Sequence, residues 1–305
     1  MIICQERNVM PDEKLATFLT VVNCGSLTKA AKRLRISQPA VTLQIHKLEQ
    51  EYGEPLFYRQ DRGVQLTPAG KIFNEYALRI SQLYCQAKDE LNVLSGELHG
   101  TLHIGATLTI GEYVLPQVVG RFKAEHPYVD ILLEVENTVK IVDMVASGML
   151  DCGLVEGPFD NGMIRTERLS SDELAFVCAS SNELANQSDL DLETLCKSDF
   201  ILREPGSGTR QVFEDALRKV AINPSDLKIL MQLGSIQMIK ALVAENVGVT
   251  VISERTIENE IRAGILKRLK VPELDLHRLF QFIYKKDVRL SFVAQQFVTA
   301  CLNLV

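Results

Sequence analysis

The chain has 305 residues, 46% hydrophobic and 24% charged, with a formal net charge of −6; at about 100–200 residues per domain this gives two or three compact units with ample core. No stretch approaches the ~20 apolar residues that span a bilayer, and "MIICQERNVM" has no apolar run long enough for a signal peptide. The seven cysteines (4, 24, 85, 152, 178, 196 and 301) are scattered, odd in number and never spaced C-x-x-C, so reduced thiols in a cytoplasmic protein, without a metal cluster, are expected.

Charge is unevenly placed. The first 99 residues carry 12 Lys/Arg and 11 Asp/Glu, whereas the remaining 206 carry 21 and 28. Between Glu13 and Glu49 there is no acid at all, yet the interval holds Lys14, Lys29, Lys32, Arg33, Arg35 and Lys47. A basic patch on an acidic body suggests that one part meets a polyanion. Over 13–23, Leu15, Phe18, Leu19 and Val22 share one helical face. Gly25 ends that helix and Ser26 caps the next, whose apolar side is Leu27, Ala30, Ala31 and Leu34. Ser37 caps a third helix with Pro39 in its first turn and a buried stripe of Val41, Ile45 and Leu48. Its other face offers Gln38, Ala40, Thr42, Gln44 and Lys47.

Two short helices joined by a brief turn form a helix-turn-helix pattern. Gln38 can pair with adenine and Thr42 can meet the thymine methyl group. Ser26, Lys29, Lys32, Arg33 and Lys47 then face phosphates, so the missing carboxylates have a cause. Residues 56–58 and 64–66, with a turn at Asp61-Arg62-Gly63, predict a hairpin wing bearing Arg59 and Arg62. Thr67-Pro68 opens a helix running to about residue 94, and Ile72/Phe73, Tyr76, Ile80, Leu83/Tyr84, Ala87, Leu91 and Leu94 recur at three and four. That uncovered seam predicts a second copy of the same helix, hence a dimer.

From Gly100 strands and helices alternate: strands at 101–107, 130–136 and 151–157, then "ELAFVCAS", "DFILRE", "KILMQL" and "VTVISE" separated by helices. This order predicts two α/β lobes, linked near 158–172 and 265–272, that enclose a cleft. Ligands of such sheets sit beyond the carboxyl ends of strands, at helix N-termini. Three segments fit: Thr107 and Thr109 after the first strand; Arg203, Gly206, Ser207, Gly208, Thr209 and Arg210 in "REPGSGTR"; and Ser235 opening a later helix. Together they suit a small oxyanion. Glu156, closing the third strand, opposes a fully charged anion and keeps a cationic effector open, while Arg203 and Arg210 can instead pair with Glu156 or Glu204. Nothing argues for an enzyme or a cofactor: Ala106 stands where a P-loop needs lysine, the five histidines are dispersed, and neither HExxH nor GxSxG occurs.

The runs Gly25-Ser26-Leu27-Thr28-Lys29-Ala30-Ala31, Ser37-Gln38-Pro39-Ala40-Val41-Thr42, Pro55-Leu56-Phe57-Tyr58-Arg59 and Leu66-Thr67-Pro68-Ala69-Gly70 resemble the LysR-type transcriptional regulators, in order over residues 12–94. The resemblance implies an α-rich winged helix-turn-helix domain (12–67), a dimerising linker helix (68–95) and a two-lobed, Rossmann-like α/β effector domain similar to periplasmic binding proteins. That last domain spans 96–305, with lobe I about 100–170 and 268–305 and lobe II about 171–267. It also implies base-side contacts from Ser37, Gln38, Pro39 and Thr42, and as partners double-stranded DNA, a small-molecule effector, RNA polymerase and a homodimer or homotetramer, with no membrane. Leu43 departs from the family pattern, where a polar or basic residue is common, and offers an apolar contact. "GATLTIGEYVLP" and "REPGSGTR" look most like the CysL/CbbR branch, whose members sense sulfur oxyanions or phosphorylated sugars. Competing readings are a two-lobed solute-binding protein and an architectural DNA protein with a vestigial cleft; the former is disfavoured by residues 12–94.

Overall fold

The computed structural model describes residues 12–60, 63–93, 97–187, 190–286, 288 and 290–304. It divides into two compact units, one formed by residues up to Thr101 together with 128–130 and 288–295, the other by the rest.

In the first unit, helices α1 (Glu13–Cys24), α2 (Leu27–Leu34) and α3 (Gln38–Tyr52) precede a hairpin of β1 (Phe57–Gln60) and β2 (Gly63–Leu66), and α4 (Pro68–Val93) follows. The caps are local and strong. Asp12 accepts from the Lys14 amide at 2.7 Å, Ser26 from Lys29 at 3.4 Å and Ser37 from Ala40 at 3.3 Å, each satisfying an orphan donor of a helix start. Thr67 does the same for α4 through the Gly70 amide at 2.9 Å, while its own hydroxyl donates to the Pro55 carbonyl at 2.6 Å. The hairpin docks on the turn between α1 and α2: the Val64 amide donates to the Gly25 carbonyl at 3.0 Å. A Cβ at Gly63 would lie 2.5 Å from that oxygen, and its φ of +126° disfavours any side chain.

The core of this unit is Phe18, fully buried, with the rings of Phe57 at 5.1 Å and Phe73 at 4.8 Å around it. Ala30 and Ala31 let α2 approach α1 closely, and Val41, Ile45 and Leu48 close the interior from α3. Lys14 pairs with Glu51, tying α1 to the end of α3. Along α4, Ile72, Tyr76, Ile80, Leu83 and Leu91 remain exposed, between 45% and 67%.

The second unit is built on strands and helices in the order β3 (Gly100–Ala106), α5 (Leu108–Tyr113), α6 (Leu115–Glu125), β4 (Val129–Val135), α7 (Thr138–Ala146), β5 (Cys152–Glu156), β6 (Ile164–Ala179), α8 (Leu192–Cys196), β7 (Asp199–Arg203), α9 (Gly208–Lys219), β8 (Lys228–Leu233), α10 (Ile236–Ala244), β9 (Thr250–Ser253), α11 (Glu258–Arg262), β10 (Leu266–Leu269), β11 (His277–Lys285) and α12 (Phe292–Leu304). Among the described residues, β10-β6-β11-β5-β3-β4 form one sheet, with β9 also paired to β6, and β7-β8 form a separate parallel pair. The long strand β6 belongs to both lobes: residues 164–173 pair with β11 and residues 174–179 with β9 and β10. Each lobe has its own core, around Ile141, Val145, Val155 and Ile283 on one side and around Phe176, Phe200, Phe213 and Leu217 on the other.

Two departures from the sequence reading stand out. The expected linker near 158–172 is mostly strand, and β11 and α12 were not anticipated. The first half of β6, "IRTERLSS", is polar and largely exposed apart from Ile164, so it lacks the apolar alternation that marks a strand; its partner β11 is what holds it.

Phe18→Ala empties the centre of the first unit and is expected to cost about 3–5 kcal/mol of stability. Urea unfolding of the full chain, followed by circular dichroism, measures it; a loss below about 1 kcal/mol would contradict the assigned core.

Candidate functional site

In the first unit, α3 presents one continuous outer face. Gln38, Pro39, Leu43, His46, Lys47 and Gln50 are exposed along it, at the spacing of a single helical side. Gln38 donates to the Thr42 hydroxyl at 3.2 Å, so the two side chains act as one preformed polar pair. Leu43, 53% exposed, lies in the middle of this face, where an apolar side chain gains nothing from folding. Lys29, Lys32 and Arg33 are exposed on α2. Ser26 and Ser37 serve as helix caps of α2 and α3. Arg59 lies on β1; its side chain and the whole of Arg62 fall outside the described residues. Gln44, expected on the same face, instead turns back to α1: it meets the Thr17 hydroxyl and donates to Glu13 at 3.4 Å.

In the second unit, the expected effector residues split into an inner and an outer group. The inner group is a buried polar network. Thr107 donates its hydroxyl to the Glu156 carboxyl, and Thr109 donates to it at 3.3 Å. Arg278 of β11, 1% exposed, approaches Glu156 at 3.5 Å and is paired with Asp172 of β6 at 2.7 Å. The same guanidinium donates to Thr209 at the start of α9 at 2.8 Å and to Thr109 at 3.3 Å. Asp172 also accepts from Ser253 at the end of β9 at 2.8 Å. Gly208 explains the closeness of the two lobes here: a Cβ on it would sit 1.9 Å from the Glu156 carbonyl oxygen.

The outer group does not itself line but adjoins an open cleft of about 410 Å³, whose lining is Leu108, Glu112, Val135, Glu136, Asn137, Lys140, Glu204 and Gly234. Arg203, buried, forks onto its neighbour Glu204 with bonds of 2.8 and 3.0 Å. Burial would raise the Glu204 carboxyl, but the hydrogen bonds and charge of Arg203, with a hydrogen bond from Asn137, hold it below the usual carboxylate range. Lys140 reaches Glu136 at 2.8 Å. Asn137 caps α7 through the Lys140 amide at 3.1 Å, and Gly206, at φ +88°, packs against the Asn137 amide. Ser235 caps α10 through Met238 at 3.2 Å. Ser207 is buried, with no hydrogen-bond partner for its hydroxyl. Across the cleft, Gln237 of α10 donates to the Tyr113 hydroxyl at 2.8 Å.

The structure therefore brings Thr107, Thr109, Glu156 and Thr209 together, and sets Arg203, Gly206 and Ser235 near the open cleft. Arg210 faces elsewhere: it pairs with Glu214 at 2.7 Å and donates to Gln232 at 2.9 Å. Three residues escaped the sequence reading: Arg278, Asp172 and Asn137. Arg278 had a signal. Leu276, Phe280 and Phe282 occupy the buried phase of that segment, and Arg278 falls in the same phase. A charged residue there must meet partners.

Among the described residues there is no group of three or more His, Cys, Asp or Glu side chains placed to hold a metal ion, and no helix is long and apolar enough to cross a membrane.

Comparison with known proteins agrees with both units. Residues 13–71 match the bacterial regulatory helix-turn-helix protein model of the lysR family, and residues 95–305 match the LysR substrate binding domain. A probable RuBisCO transcriptional regulator of Emiliania huxleyi is 34% identical over 277 residues, covering 89% of this chain and 87% of the relative. Another, of Cyanidioschyzon merolae, is 32% identical, covering 96% and 97%. In fold, the chain is similar to a full-length OxyR variant of Pseudomonas aeruginosa (TM-score 0.71, 21% identity, 95% of this chain and 92% of that one). It is also similar to full-length CbnR complexed with its target DNA (0.64, 19%, 97% and 100%). The regulatory domain of Synechocystis CcmR in complex with 2-PG matches with TM-score 0.62 and 23% identity, over 67% of this chain and 97% of that one. A helix-turn-helix unit followed by a two-lobed α/β unit defines a one-chain regulator with a sensory domain. The chain belongs to the LysR family of transcriptional regulators, and its relatives named above are regulators, not enzymes, with RuBisCO regulators of the CbbR kind among them.

Burial raises the Glu156 carboxyl above its ordinary value, with Arg278 and Arg203 pulling it down and Asp172 pushing it up. The folded protein thus holds a proton at Glu156 more readily than the unfolded chain. The stability tied to that proton is fully present below the unfolded carboxylate value and fades as pH rises through the folded one. Glu156→Gln, neutral throughout, lacks this term. Its melting temperature relative to the parent is expected to improve as pH rises above the ordinary carboxylate range; a difference that stays flat as pH rises would contradict the burial argument.

Proposed function

We propose that α3 reads duplex DNA in the major groove, with the β1–β2 hairpin against the neighbouring groove or backbone, and that a small-molecule effector in the cleft between the two lobes controls operator binding or DNA bending. The observation that carries the first part is the outer face of α3: exposed Gln38, Pro39, Leu43 and Lys47, with no carboxylate between Glu13 and Glu49 to oppose the phosphates. The DNA-bound CbnR complex supports the same arrangement for a protein of this fold. The exposed apolar stripe of α4 supports a homodimer joined along that helix, and assembly of two such dimers gives the tetramer the family resemblance implies, acting on RNA polymerase in the cytoplasm.

The effector is a small anion, a sulfur oxyanion or a phosphorylated metabolite. Its support is electrostatic: helices α7, α9 and α10 start around the cleft, the carboxylates of Glu136 and Glu204 are matched by Lys140 and Arg203, leaving Glu112 as the lining carboxylate that opposes an anion, and the Ser207 hydroxyl has no partner. The CcmR domain in complex with 2-PG supports a small ligand in a lobe pair of this fold. Effector binding shifts the population between lobe arrangements and so alters the spacing and bend of the bound DNA.

Selection from a random duplex library yields the operator, which the protein should prefer over random DNA by ~10³ or more at physiological salt. Gln38→Ala is expected to lose that preference while retaining bulk affinity. Lys32→Ala should weaken operator and random DNA alike and flatten the salt dependence by about one phosphate contact. Identical behaviour of the two variants would contradict the assignment of α3 to the groove.

A further inference from the structure

Two of the donors that the sequence assigns to an effector anion are already in use. Thr107 and Thr109 both donate to the Glu156 carboxyl, and Arg278 stands 3.5 Å from it while donating to Thr209 and Thr109. Glu156 is 1% exposed, and behind it the backbones of the two lobes touch: its carbonyl accepts from Thr138 at 2.9 Å and abuts Gly208, while Gly157 packs on Gly208. This network lies one residue behind the wall of the open cleft, because Thr107 precedes the cleft-lining Leu108, Thr138 follows Asn137, and Arg203 precedes Glu204.

We propose that Glu156 is a built-in ligand: its carboxyl group fills the innermost polar position between the lobes, does there what an effector's acid group would do, and confines the effector to the outer cleft at Asn137, Lys140 and Glu204. This deepens the effector-cleft reading and rests on it for its functional meaning, but the occupancy of the inner position is testable without any effector. Three consequences follow chemically. The lobes are joined with no effector bound, since Arg278 already bridges Thr109 of one lobe and Thr209 of the other. Selectivity is exercised at the outer rim. And the space left by removing Glu156 beyond its Cβ has the composition of one acetate ion.

The test uses the full chain as Glu156→Ala and Glu156→Gln beside the parent, melted in sodium acetate and in sodium chloride of equal ionic strength and pH. Acetate is expected to raise the melting temperature of Glu156→Ala by several degrees over chloride, with saturation, and to leave the parent and Glu156→Gln unmoved. If Glu156→Ala folds poorly, the fraction that refolds is the readout, and a gain in acetate over chloride counts in favour. The proposal is overturned by a Glu156→Ala protein whose melting temperature or refolded fraction is the same in both salts. It is equally overturned if the parent gains as much from acetate as the variant, since its inner position would then be open. Failure of the effector-cleft reading is a separate event: it shows as parent protein with no thermal response to sulfate, inorganic phosphate or phosphorylated carboxylic acids, whichever way the acetate comparison falls.

Discussion

Arg278 is a guanidinium held in the interior, 1% exposed, and its bonds reach β6 through Asp172, α5 through Thr109 and α9 through Thr209. A buried ion is costly unless its partners are close and its remaining donors are satisfied. Here the counter-ion is 2.7 Å away and threonine hydroxyls take further donors. Thr109 accepts from Arg278 and donates its own hydrogen bond to Glu156, so the charge is linked to the end of β5 as well. Because Thr109 and Thr209 come from different lobes, the lobes are held together by polar geometry close to where strand β6 passes from one into the other.

That constraint shapes the rest of the unit. Gly157 and Gly208 are needed because the backbones approach too closely for a Cβ. The cleft opens only outside this contact, where Asn137, Lys140 and Glu204 meet solvent. A ligand there has polar groups of both lobes within reach and a rigid floor beneath it, which is the arrangement in which differential binding can bias one lobe geometry over another. The first unit depends on different physics: an aromatic cluster around Phe18 and four side-chain caps fix the helices, leaving one side of α3 with no role in the core.

How much of this was readable from the chain follows the range of the forces. Ser26, Ser37 and Thr67 cap helices through bonds spanning three residues, and the apolar stripe of α3 recurs at helical spacing, so the first unit was legible nearly element by element. Thr107, Thr109, Glu156 and Thr209 were legible as polar residues at strand and helix ends. What they bind was not, because their partner Arg278 lies 169 residues from Thr109. Arg210 looked equivalent to Arg203 in sequence, but one turn of α9 points it at Glu214. The first half of β6 stayed hidden because a polar strand held by a distant neighbour carries no apolar period of its own.

The most direct measurement is a double-mutant cycle between Arg278→Met and Asp172→Asn, read as unfolding free energy of the full chain. Each single change removes the near partner of a buried ion, leaving Arg278 with Glu156 at 3.5 Å or Asp172 with Arg255 at 3.6 Å, and is expected to cost about 3–5 kcal/mol, while the double variant should lose at least ~1 kcal/mol less than the sum of the two. Strictly additive losses, or single variants as stable as the parent, would mean that this buried cross-strand pair does not anchor the network through which Arg278 reaches Thr209 in the other lobe.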